Sequence, residues 1–410
     1  MDDSLRTILV RCTGRDRPGI TTGLLGVLAD TGAHLYDMEQ VVVRERLTLD
    51  LLIGVSTGDN ALKDLLFHGW EQGFQLDFEV VEEASQRATK PRFVVTVIGQ
   101  TLLPAALAGV TGAIAEGGGN IDRILRLSRY PVVSYEFVVV DGDVETMRHA
   151  LVAASRRHGV DVAIQRESLE RRAKRLVIMD VDSTLIQDEV IELLADIAGC
   201  AQEVADITAR AMNGELDFEA SLRERVAKLA GTPVAALGEV RDRLRLTPGA
   251  RTFVRTLKRL GYTVAIVSGG FTAVTDELAR DLDLDHAVAN ELEIVDGVLT
   301  GRVVGQVVDR AGKAAVLRRI AEAEHIPLEQ TVAVGDGAND LDMLATAGLG
   351  IAFNAKPVVR DAADTAVSVP YLDAILFLLG IRREEVEAAD EKDPGLVRDG
   401  LIPVPGTPPV

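Results

Sequence analysis

The sequence is poor in cysteine and aromatic residues, and it has no long uninterrupted apolar run. Its two cysteines, Cys12 and Cys200, lie far apart in the 410-residue chain and form neither a metal-type pair nor a disulfide framework. Aromatic residues make up 4% of the chain, which disfavours a base-stacking surface. No uncharged apolar run reaches the ~18–20 residues that a membrane-spanning helix needs. We therefore expect a protein of the reducing cytoplasm without a membrane partner.

Positive charge is also scarce. Lysine and arginine total 44 against 63 aspartate and glutamate residues, so the formal net charge is −19. This balance argues against nucleic acid or an anionic membrane as the main partner. A small anionic substrate remains compatible with it, because a single site can be locally positive. The acidic start "MDDSLRTILVRC" lacks a basic flank and a long apolar core, so no signal peptide is expected.

The N-terminal third contains a weak internal repeat with an offset of 86 residues, seen for example where Gly23 falls opposite Gly109. Each copy reads as a strand, a glycine-bearing loop, an amphipathic helix, a turn and further strands. That order is typical of the βαββαβ ferredoxin-like unit. We predict two such domains, at residues 5–85 and 91–165, separated by the polar stretch "EEASQRATKP".

From residue 175 onward, short apolar runs alternate with helical patterns, which predicts a parallel α/β sheet. The runs are Leu176–Met179, Thr263–Val267 and Thr331–Val334. A mostly helical block at about 190–245 is too long for a simple crossover and looks like an inserted cap. We therefore predict an α/β domain over 175–382. The charged, helix-prone stretch 166–175 joins it to the repeats, and we expect a disordered tail over 383–410.

Polar residues recur where successive predicted strands end. They are Asp180, Asp182, Ser268, Gly269, Gly270, Asp336, Asn339 and Asp340, with Lys313 at the start of a helix between the second and third runs. Ligands of open α/β sheets bind at the carboxyl ends of the strands, so these groups are expected to converge.

Each piece also has an ordinary structural explanation. Asp180 could belong to a helix cap, "SGG" to a turn, and Lys313 to a solvated surface. The stretch "GDGAND" could form a calcium-like loop or an Asx-rich turn. It is the ordered set on successive strands that indicates a shared site.

The residue types suggest phosphoryl chemistry. Asp180, Asp182 and Asp336 offer the hard oxygens that Mg²⁺ prefers. One carboxylate can attack phosphorus and form an aspartyl-phosphate, while a second, two residues along, moves protons. Ser268, the Gly269 amide and Lys313 would hold the phosphoryl oxygens, and Gly270 would let the backbone approach the anion.

The motif series "DVDST", "SGGF", the lysine and "GDGAND" resembles that of the haloacid-dehalogenase-like phosphohydrolases. The match runs from about 175 to about 380 and implies a Rossmann-like core with a helical cap insertion. Within that superfamily, "DSTLIQDEVIELLA", "MNGELDFEASLRERV" and "IVSGGFTAV" are similar to the phosphoserine phosphatase family. The resemblance implies Asp180 as nucleophile and Asp182 as general acid and base, with Asp336 completing the Mg²⁺ shell and Asp340 supporting it.

The same resemblance implies a set of substrate-binding residues. Glu189 would bind the ammonium of phosphoserine and Arg225 its carboxylate, while Met212 and Phe218 would enclose the site from the cap. Ser268, Gly269, Gly270 and Asn339 complete the set. A planar guanidinium suits a carboxylate bidentately. Arg223 is the alternative to Arg225 and is expected to face solvent, and Glu189 could instead be an ordinary acid in a first helical turn.

The repeats resemble ACT domains, small ferredoxin-like modules that often bind amino acids at paired interfaces. The loop "GRDRPGI" at 14–20 is close to that family's pattern, whereas "GQTLLPAAL" in the second copy departs from it. The resemblance suggests L-serine or another amino acid as effector, with Asp16, Gly19, Gly109 and Asn120 as candidate contacts. The alternative is a dimerisation module without an effector, and a homodimer through these domains is expected in either case.

The resemblance implies Mg²⁺-dependent hydrolysis of O-phospho-L-serine to L-serine and phosphate, the last step of serine biosynthesis, and the residue types are compatible with it. An amino-acid sensor on an inactive phosphatase scaffold is one alternative, and a phosphatase of another small phosphomonoester or of a phosphoprotein is another. A neutral sugar phosphate would leave Glu189 and Arg225 unpaired. A receiver-type signalling domain has no cap and does not require the second aspartate.

Overall fold

The computed structural model describes residues 5–56, 60–81, 90–212 and 215–393, apart from the side chains of Glu170 and Met212. The chain divides into two compact units, one on each side of the bond between Lys90 and Pro91. None of the described helices is long and apolar enough to cross a membrane.

The first unit is a four-stranded antiparallel sheet with two helices. Its elements are β1 (Arg6–Arg15), α1 (Ile20–Thr31), β2 (His34–Val43), β3 (Arg46–Val55), α2 (Ala61–Gln72) and β4 (Gln75–Val80). The strand order is β2-β3-β1-β4. Every second residue of β3 from Leu47 to Ile53 is buried, because one face of the sheet packs on the helices. The predicted ferredoxin-like fold is confirmed.

The second unit begins with the same topology. Its elements are β5 (Arg92–Gly99), α3 (Pro104–Glu116), β6 (Asn120–Ser128), β7 (Val133–Val140), α4 (Val144–His158) and β8 (Asp161–Arg166), in the order β6-β7-β5-β8. The repeated glycines have a packing reason. A Cβ atom on Gly23 would lie 2.6 Å from Nε2 of His68, and one on Gly109 would lie 2.6 Å from Nε2 of His158. Each glycine therefore lets a histidine of the second helix pack against the first.

A seven-stranded sheet follows. Its strands are β9 (Leu176–Met179), β10 (Thr263–Phe271), β11 (His286–Val295), β12 (Val298–Val304), β13 (Thr331–Gly335), β14 (Gly350–Phe353) and β15 (Thr365–Val367). The order is β12-β11-β10-β9-β13-β14-β15, and all neighbours pair in parallel except β11 and β12. Val177 and Met179 face one core and Leu176 and Ile178 the other. A central strand buried on both faces explains the unbroken apolar run before Asp180.

Helices cover this sheet and form the cap. They are α5 (Leu169–Arg172), α6 (Val190–Ala198), α7 (Ala201–Met212), α8 (Phe218–Ala227), α9 (Ala235–Arg243), α10 (Ala250–Arg259), α11 (Thr272–Leu282), α12 (Arg310–Ala323), α13 (Leu341–Thr346), α14 (Pro357–Ala362), α15 (Ile375–Leu378) and α16 (Arg383–Asp390). Helices α6 to α9 are inserted between β9 and β10, which confirms the helical cap. The core is thus the predicted α/β fold with the cap above the ends of its strands.

The predicted disordered tail is wrong for its first residues. Helix α16 is ordered, and Arg383 pairs with Asp373 at 2.6 Å while Arg255 of α10 pairs with Asp390 at 2.7 Å. An acid of this stretch is therefore the partner of a half-buried arginine rather than part of a solvated chain. The rest of the predicted tail, 394–410, lies outside the described residues.

Candidate active site

The attacking carboxylate predicted from the sequence lies at the end of the central strand. The Asp180 backbone N–H donates to the carbonyl oxygen of Val334 on β13 at 2.9 Å, and its side chain accepts from the N–H of Val181 at 2.7 Å. Both contacts fix the residue where β9 leaves the sheet. Asp180 is buried, so it meets the surrounding groups in a medium of low polarity.

Lys313, on helix α12, places its ammonium beside Asp180. Its ammonium lies 2.7 Å from Oδ1 of Asp180 and 2.7 Å from Oδ1 of Asp340, and its side chain is fully buried. Burial opposes the charge on Lys313, but the two carboxylates outweigh that effect and raise the pKa of the ammonium. The lysine is therefore a fixed cation and not the solvated surface residue that was the alternative.

Three carboxylates crowd together beside this lysine. Oxygens of Asp180, Asp336 and Asp340 all lie within 4.8 Å of one another, close enough to share one cation. Burial and the charges of Asp340 and Asp182 raise the pKa of Asp180, although Lys313 opposes the rise. Burial and Asp340 raise the pKa of Asp336 to about 6. One lysine does not balance two buried acids and a half-buried one, so this donor set fits a hard divalent cation.

The Asp182 carboxylate lies apart from this cluster of three carboxylates, and its predicted role as a metal ligand stays a prediction. Its Oδ1 accepts from the N–H of Val190 at 2.8 Å and its Oδ2 from the hydroxyl of Ser268 at 3.0 Å. Among the described residues, the cluster of possible metal ligands contains Asp340 in its place. The chain turns sharply here, since Ser183 has a φ of 57°, and the Asp182 carboxylate is directed to the cap side. Burial raises the pKa of Asp182, while the hydrogen bonds from Val190 and Ser268 oppose the rise.

The loop from Ser268 to Gly270 interrupts the pairing of β10 with β11. The Ser268 hydroxyl accepts from the N–H of Gly270 at 2.7 Å while it donates to Asp182, so it is engaged within the protein. A Cβ atom on Gly269 would lie 3.0 Å from the ring of Phe218, which reaches down from helix α8 of the cap. A side chain at position 269 would therefore require the Phe218 ring to shift by a few tenths of an ångström, which shows that the cap and this loop are in close contact.

The cap side carries the two charged residues that the sequence singled out. Glu189 accepts from the hydroxyl of Ser183 at 2.9 Å, and burial together with the charge of Asp182 raises its pKa to about 7. Burial lowers the pKa of the Arg225 guanidinium, and the nearby charge of Glu189 opposes that change. Arg223 instead pairs with Glu219 at 2.7 Å on the exposed side of the same helix, as expected for the residue that faces solvent.

Two further residues of the predicted set are less defined by contacts. Asn339 lies in the short turn Ala338–Asp340, with its Oδ1 2.1 Å from where a Cβ atom on Gly337 would be. The backbone of Met212 ends helix α7, but its side chain lies outside the described residues.

Sequence reasoning missed two threonines that support the site. Thr184 donates from its hydroxyl to Oδ1 of Asp336 at 3.1 Å, and Thr247 donates to the carbonyl oxygen of Thr184 at 2.7 Å. Both threonines are buried. Thr184 belongs to the quoted stretch "DVDST", so the signal was present, whereas the partner of Thr247 depends on how the chain returns from the cap.

The four candidate effector contacts fall in different places. Asp16 and Gly19 belong to the loop between β1 and α1, where Asp16 donates its N–H to the carbonyl oxygen of Glu45 at 2.8 Å and Gly19 has a φ of 94°. Gly109 is covered by His158, which favours a packing role, and Asn120 is the exposed first residue of β6. The first pair lies in one compact unit and the second pair in the other.

Family models match three parts of the chain. Residues 177–345 match the haloacid dehalogenase-like hydrolases, and residues 6–79 and 92–165 each match an ACT domain. A phosphoserine phosphatase of Streptomyces coelicolor is 55% identical over 407 residues, which is 98% of either chain. The chain belongs to the phosphoserine phosphatase family. Another family member, from Mycobacterium tuberculosis, is 48% identical and covers 96% of this chain and 97% of its own.

Two solved structures of related proteins have a similar fold. The unliganded structure of a probable phosphoserine phosphatase from Vibrio cholerae is 39% identical, with a TM-score of 0.56 over 73% of this chain and 89% of its own. A haloacid dehalogenase family hydrolase from Salmonella enterica serovar Typhi is 31% identical, with a TM-score of 0.62 over 70% and 98%. Within the phosphoserine phosphatase family, this chain is therefore an enzyme of the phosphoric monoester hydrolase class.

Proposed function

We propose that this chain hydrolyses O-phospho-L-serine to L-serine and phosphate through an aspartyl-phosphate on Asp180, with Mg²⁺, and so completes serine biosynthesis. The observation that carries the proposal is the pairing of two sites. A buried Asp180–Lys313 pair stands at the end of the sheet, and Glu189 and Arg225 present opposite charges from the cap side. Phosphoserine carries a phosphate for the first and an ammonium and a carboxylate for the second.

The acidic cluster supports the metal part of the proposal. Asp180 and Asp336, with Asp340 beside them, would hold Mg²⁺. When bound, the cation neutralises charge on the phosphoryl oxygens. Lys313 contributes a fixed positive charge at the same place, and Thr184 orients Asp336 through its hydroxyl. The Asp182 carboxylate is held by Val190 and Ser268, so the contact predicted between Asp182 and the cation would not use this carboxylate.

The first half of the reaction uses both aspartates. An Asp180 carboxylate oxygen attacks phosphorus, a new P–O bond forms to Asp180, and the bond from phosphorus to the seryl oxygen breaks. Asp182 gives its proton to that seryl oxygen and becomes a carboxylate. Burial raises the pKa of Asp182, which favours the protonated form that a general acid needs.

The second half returns the enzyme to its starting state. The Asp182 carboxylate takes a proton from water as the water oxygen attacks phosphorus, and the bond from phosphorus to Asp180 breaks. Free phosphate leaves, Asp180 is again a carboxylate, and Asp182 is again protonated. Ser268 holds Oδ2 of Asp182 at 3.0 Å, which keeps the proton carrier oriented through both halves. Phe218, packed on Gly269, helps to exclude bulk water from the phosphoryl site.

The test compares three substrates with Mg²⁺. Phosphate release from O-phospho-L-serine should exceed release from a neutral sugar phosphate and from a phosphopeptide, and Asp180→Asn should abolish it. Turnover of every substrate at similar rates would leave a phosphatase without the proposed specificity. Absence of turnover on all three would favour the amino-acid sensor on an inactive scaffold.

We also propose regulation by L-serine through the ACT domains. Support comes from the second ACT domain, which packs directly on the phosphatase sheet. The N–H of Ser368, just after β15, donates to the Asp161 carboxylate at 2.6 Å, and the Gln165 side chain donates to the Leu378 carbonyl oxygen at 3.0 Å. A ligand that shifts this domain would therefore displace the end of β15 and helix α15 of the catalytic core. Inhibition by serine that excess phosphoserine does not relieve would support the proposal, and purely competitive inhibition would contradict it.

We further propose a cytoplasmic homodimer that assembles through the ACT domains. The edge strand β2 exposes the apolar residues Tyr36, Met38, Val41, Val42 and Val43. An exposed apolar edge strand is a template for pairing with another strand, and a second copy of this chain offers the same edge. Light scattering should give twice the 44.0 kDa chain mass, and Val42→Lys should reduce it to one chain mass. A wild-type monomer would contradict the dimer.

A further inference from the structure

A buried asparagine outside the predicted set joins two parts of the site. Asn290 lies on β11, beside Phe271 of β10, and is 1% exposed. Its side-chain Nδ2 donates to the carbonyl oxygen of Gly269 at 2.8 Å, and its Oδ1 accepts from the N–H of Val308 at 2.8 Å. Both the nitrogen and the oxygen of the amide are therefore engaged, and one side chain connects the Ser268–Gly270 loop of β10 to the segment that leads into helix α12.

The pairing of the two strands explains why a side chain is needed here. Val267 pairs with Val288 and Phe271 with Asn290, so three residues of β10 lie between the pairs but only one residue of β11. The loop from Ser268 to Gly270 thus bulges out of the ladder, and the Gly269 carbonyl group has no partner strand. A carbonyl group that no strand pairs and that is shielded from water needs another donor, and the buried Asn290 amide supplies it.

The consequences reach the proton carrier. Asn290 holds the oxygen of the Gly269–Gly270 peptide, and Ser268 Oγ holds its N–H at 2.7 Å, so the peptide plane is fixed at both ends. The same Ser268 hydroxyl then donates to Oδ2 of Asp182 at 3.0 Å. An unbroken series of hydrogen bonds runs from Asn290 to the group that moves protons in the proposed reaction.

The other end of the amide concerns Lys313. Val308 directly precedes Asp309, which caps helix α12 by accepting from the N–H of Gly312 at 2.7 Å. Lys313 follows Gly312 in the first turns of α12, five residues after Val308, whose N–H Asn290 holds. The start of the helix, and with it the lysine that pairs with Asp180, is therefore tied to the Gly269 loop.

We propose that Asn290 is a positioning residue, which sets the Gly269–Gly270 peptide and the start of helix α12 so that Asp182 and Lys313 face the phosphoryl group together. This inference rests on the proposed function and assigns no contact between Asn290 and the substrate. Its side chain acts only through Gly269 and Val308.

The sharpest variant is Asn290→Asp, which is nearly isosteric. Its Oδ1 still accepts from Val308, but its second oxygen cannot donate to the Gly269 carbonyl oxygen and repels it. Misplacement of catalytic groups by about 1 Å can cost ~100-fold in rate, so we expect kcat on phosphoserine to fall ~10- to 100-fold while KM changes less than ~3-fold. Asn354→Asp is the matched control, because it makes the same chemical change at the exposed end of β14, and it should leave both constants unchanged.

Two readouts separate positioning from loss of fold. Orthovanadate mimics the five-coordinate phosphoryl group, so its inhibition constant should rise with the fall in kcat, whereas a merely structural role would move kcat and thermal midpoint together. In a Ser268→Ala background, where the series of hydrogen bonds is already broken, Asn290→Asp should cost much less than in the wild type. If Asn290→Asp does not fold, Asn290→Ser carries the same measurements, because its smaller side chain admits a water and adds no charge.

The outcomes distinguish this inference from the function on which it rests. Wild-type kcat in Asn290→Asp, or full additivity with Ser268→Ala, overturns the positioning role and leaves the phosphatase intact. A wild-type enzyme that hydrolyses neither phosphoserine nor p-nitrophenyl phosphate overturns both proposals.

Discussion

The ammonium of Lys313 lies 2.7 Å from Oδ1 of Asp180, and the two side chains are 0% and 5% exposed. The same ammonium is 2.7 Å from Asp340, so a single cation is shared between two buried acids. Removing one member of a buried ion pair leaves a charge without compensation, which is far more disruptive than the loss of a surface pair. In the proposed mechanism this contact therefore opposes the rise in the pKa of the attacking carboxylate that burial causes, and it stabilises the site.

Lys313→Met tests that role, since methionine keeps much of the length and none of the charge. Loss of a group that stabilises developing charge costs ~100- to 1,000-fold in kcat, and we expect a fall of at least that size on phosphoserine. Lys258→Met is the control, because Lys258 pairs with Asp285 on the surface and such pairs contribute ~1 kcal/mol or less. A Lys313→Met enzyme with kcat within about threefold of wild type would remove the lysine from the mechanism.

Glu189 should give substrate binding a pH dependence. Its pKa is raised to about 7, and a neutral carboxyl group cannot pair with an ammonium. Below pH 7 the KM for phosphoserine should therefore rise, approaching ~10-fold per pH unit well below the pKa. The phosphate of the substrate also titrates, near pH ~6, so KM is measured from pH 5.5 to 8.5 in wild type and in Glu189→Gln. Identical pH profiles in the two enzymes would exclude Glu189 as the ammonium partner.

Ionisation of Glu189 should favour substrate binding but lower the stability of the free protein. A carboxyl group with a raised pKa stabilises the fold below its ordinary value of 4.5, and that contribution is lost as the pH rises through about 7. Glu189→Gln avoids the burial of a charge, so its thermal midpoint should exceed that of wild type at pH 8 and match it at pH 4. A variant that is less stable than wild type at pH 8 would show that Glu189 is well paired in the free protein.

Much of the site followed from the sequence because it depends on local rules. A buried central strand must be apolar on both faces, so the carboxylates after Met179 stood out, and the parallel topology required the ends of β9, β10 and β13 to meet. What the sequence could not supply was the direction of each side chain. The Ser183 turn sends the Asp182 carboxylate to Val190 and Ser268, and no residue pattern states that angle.

Contacts across the fold explain the remaining differences. Asn290 is one of several polar residues on β11, and its partner Gly269 depends on the register of β10 on β11. The acidic stretch after 382 was expected to be solvated, yet its Asp390 meets Arg255 on a helix more than a hundred residues earlier. Composition gives the number of charges but not the positions of their partners, so it could not predict the ordered helix at Arg383–Asp390.

Metal binding should be visible in the stability of the protein. Asp180, Asp336 and Asp340 are crowded, and a cation that binds only the folded state stabilises it. Mg²⁺ should therefore raise the thermal midpoint at pH 8. EDTA should remove this shift and abolish turnover. The shift should shrink below pH 6, because the pKa of Asp336 is about 6 and protons then compete with the metal.

Asp336→Asn should weaken this effect without a general loss of stability. Asp342→Asn is its control, since Asp342 lies near the same loop but pairs with Arg310 on the surface. An equal Mg²⁺ shift in wild type and Asp336→Asn would place the cation elsewhere.

The two linkers of the cap are joined by Asp188 and Arg245. The Arg245 guanidinium lies 2.6 Å from Oδ1 of Asp188, and the Arg245 N–H donates to its Oδ2 at 2.8 Å. The hydrogen bonds from Arg245 hold the pKa of Asp188 below its usual value. Around them, the N–H of Gln187 donates to the Arg245 carbonyl oxygen at 2.9 Å and that of Thr247 to the Leu185 carbonyl oxygen at 2.9 Å. The cap is thus joined to the core by a short two-stranded ladder whose outer end is this ion pair.

Arg245→Ala should weaken this connection between the cap and the core and leave the phosphoryl site in place. In the proposed function phosphoserine binds Glu189 and Arg225 on the cap side, so its KM should rise ~3- to 10-fold, since residues that place a lid commonly change substrate affinity. Hydrolysis of p-nitrophenyl phosphate, which has neither an ammonium nor a carboxylate, should be nearly unchanged. Arg243→Ala is the matched control, because Arg243 pairs with Asp196 within the cap itself. Equal effects of Arg245→Ala on the two substrates would mean that the ion pair acts on the catalytic groups instead of on the position of the cap.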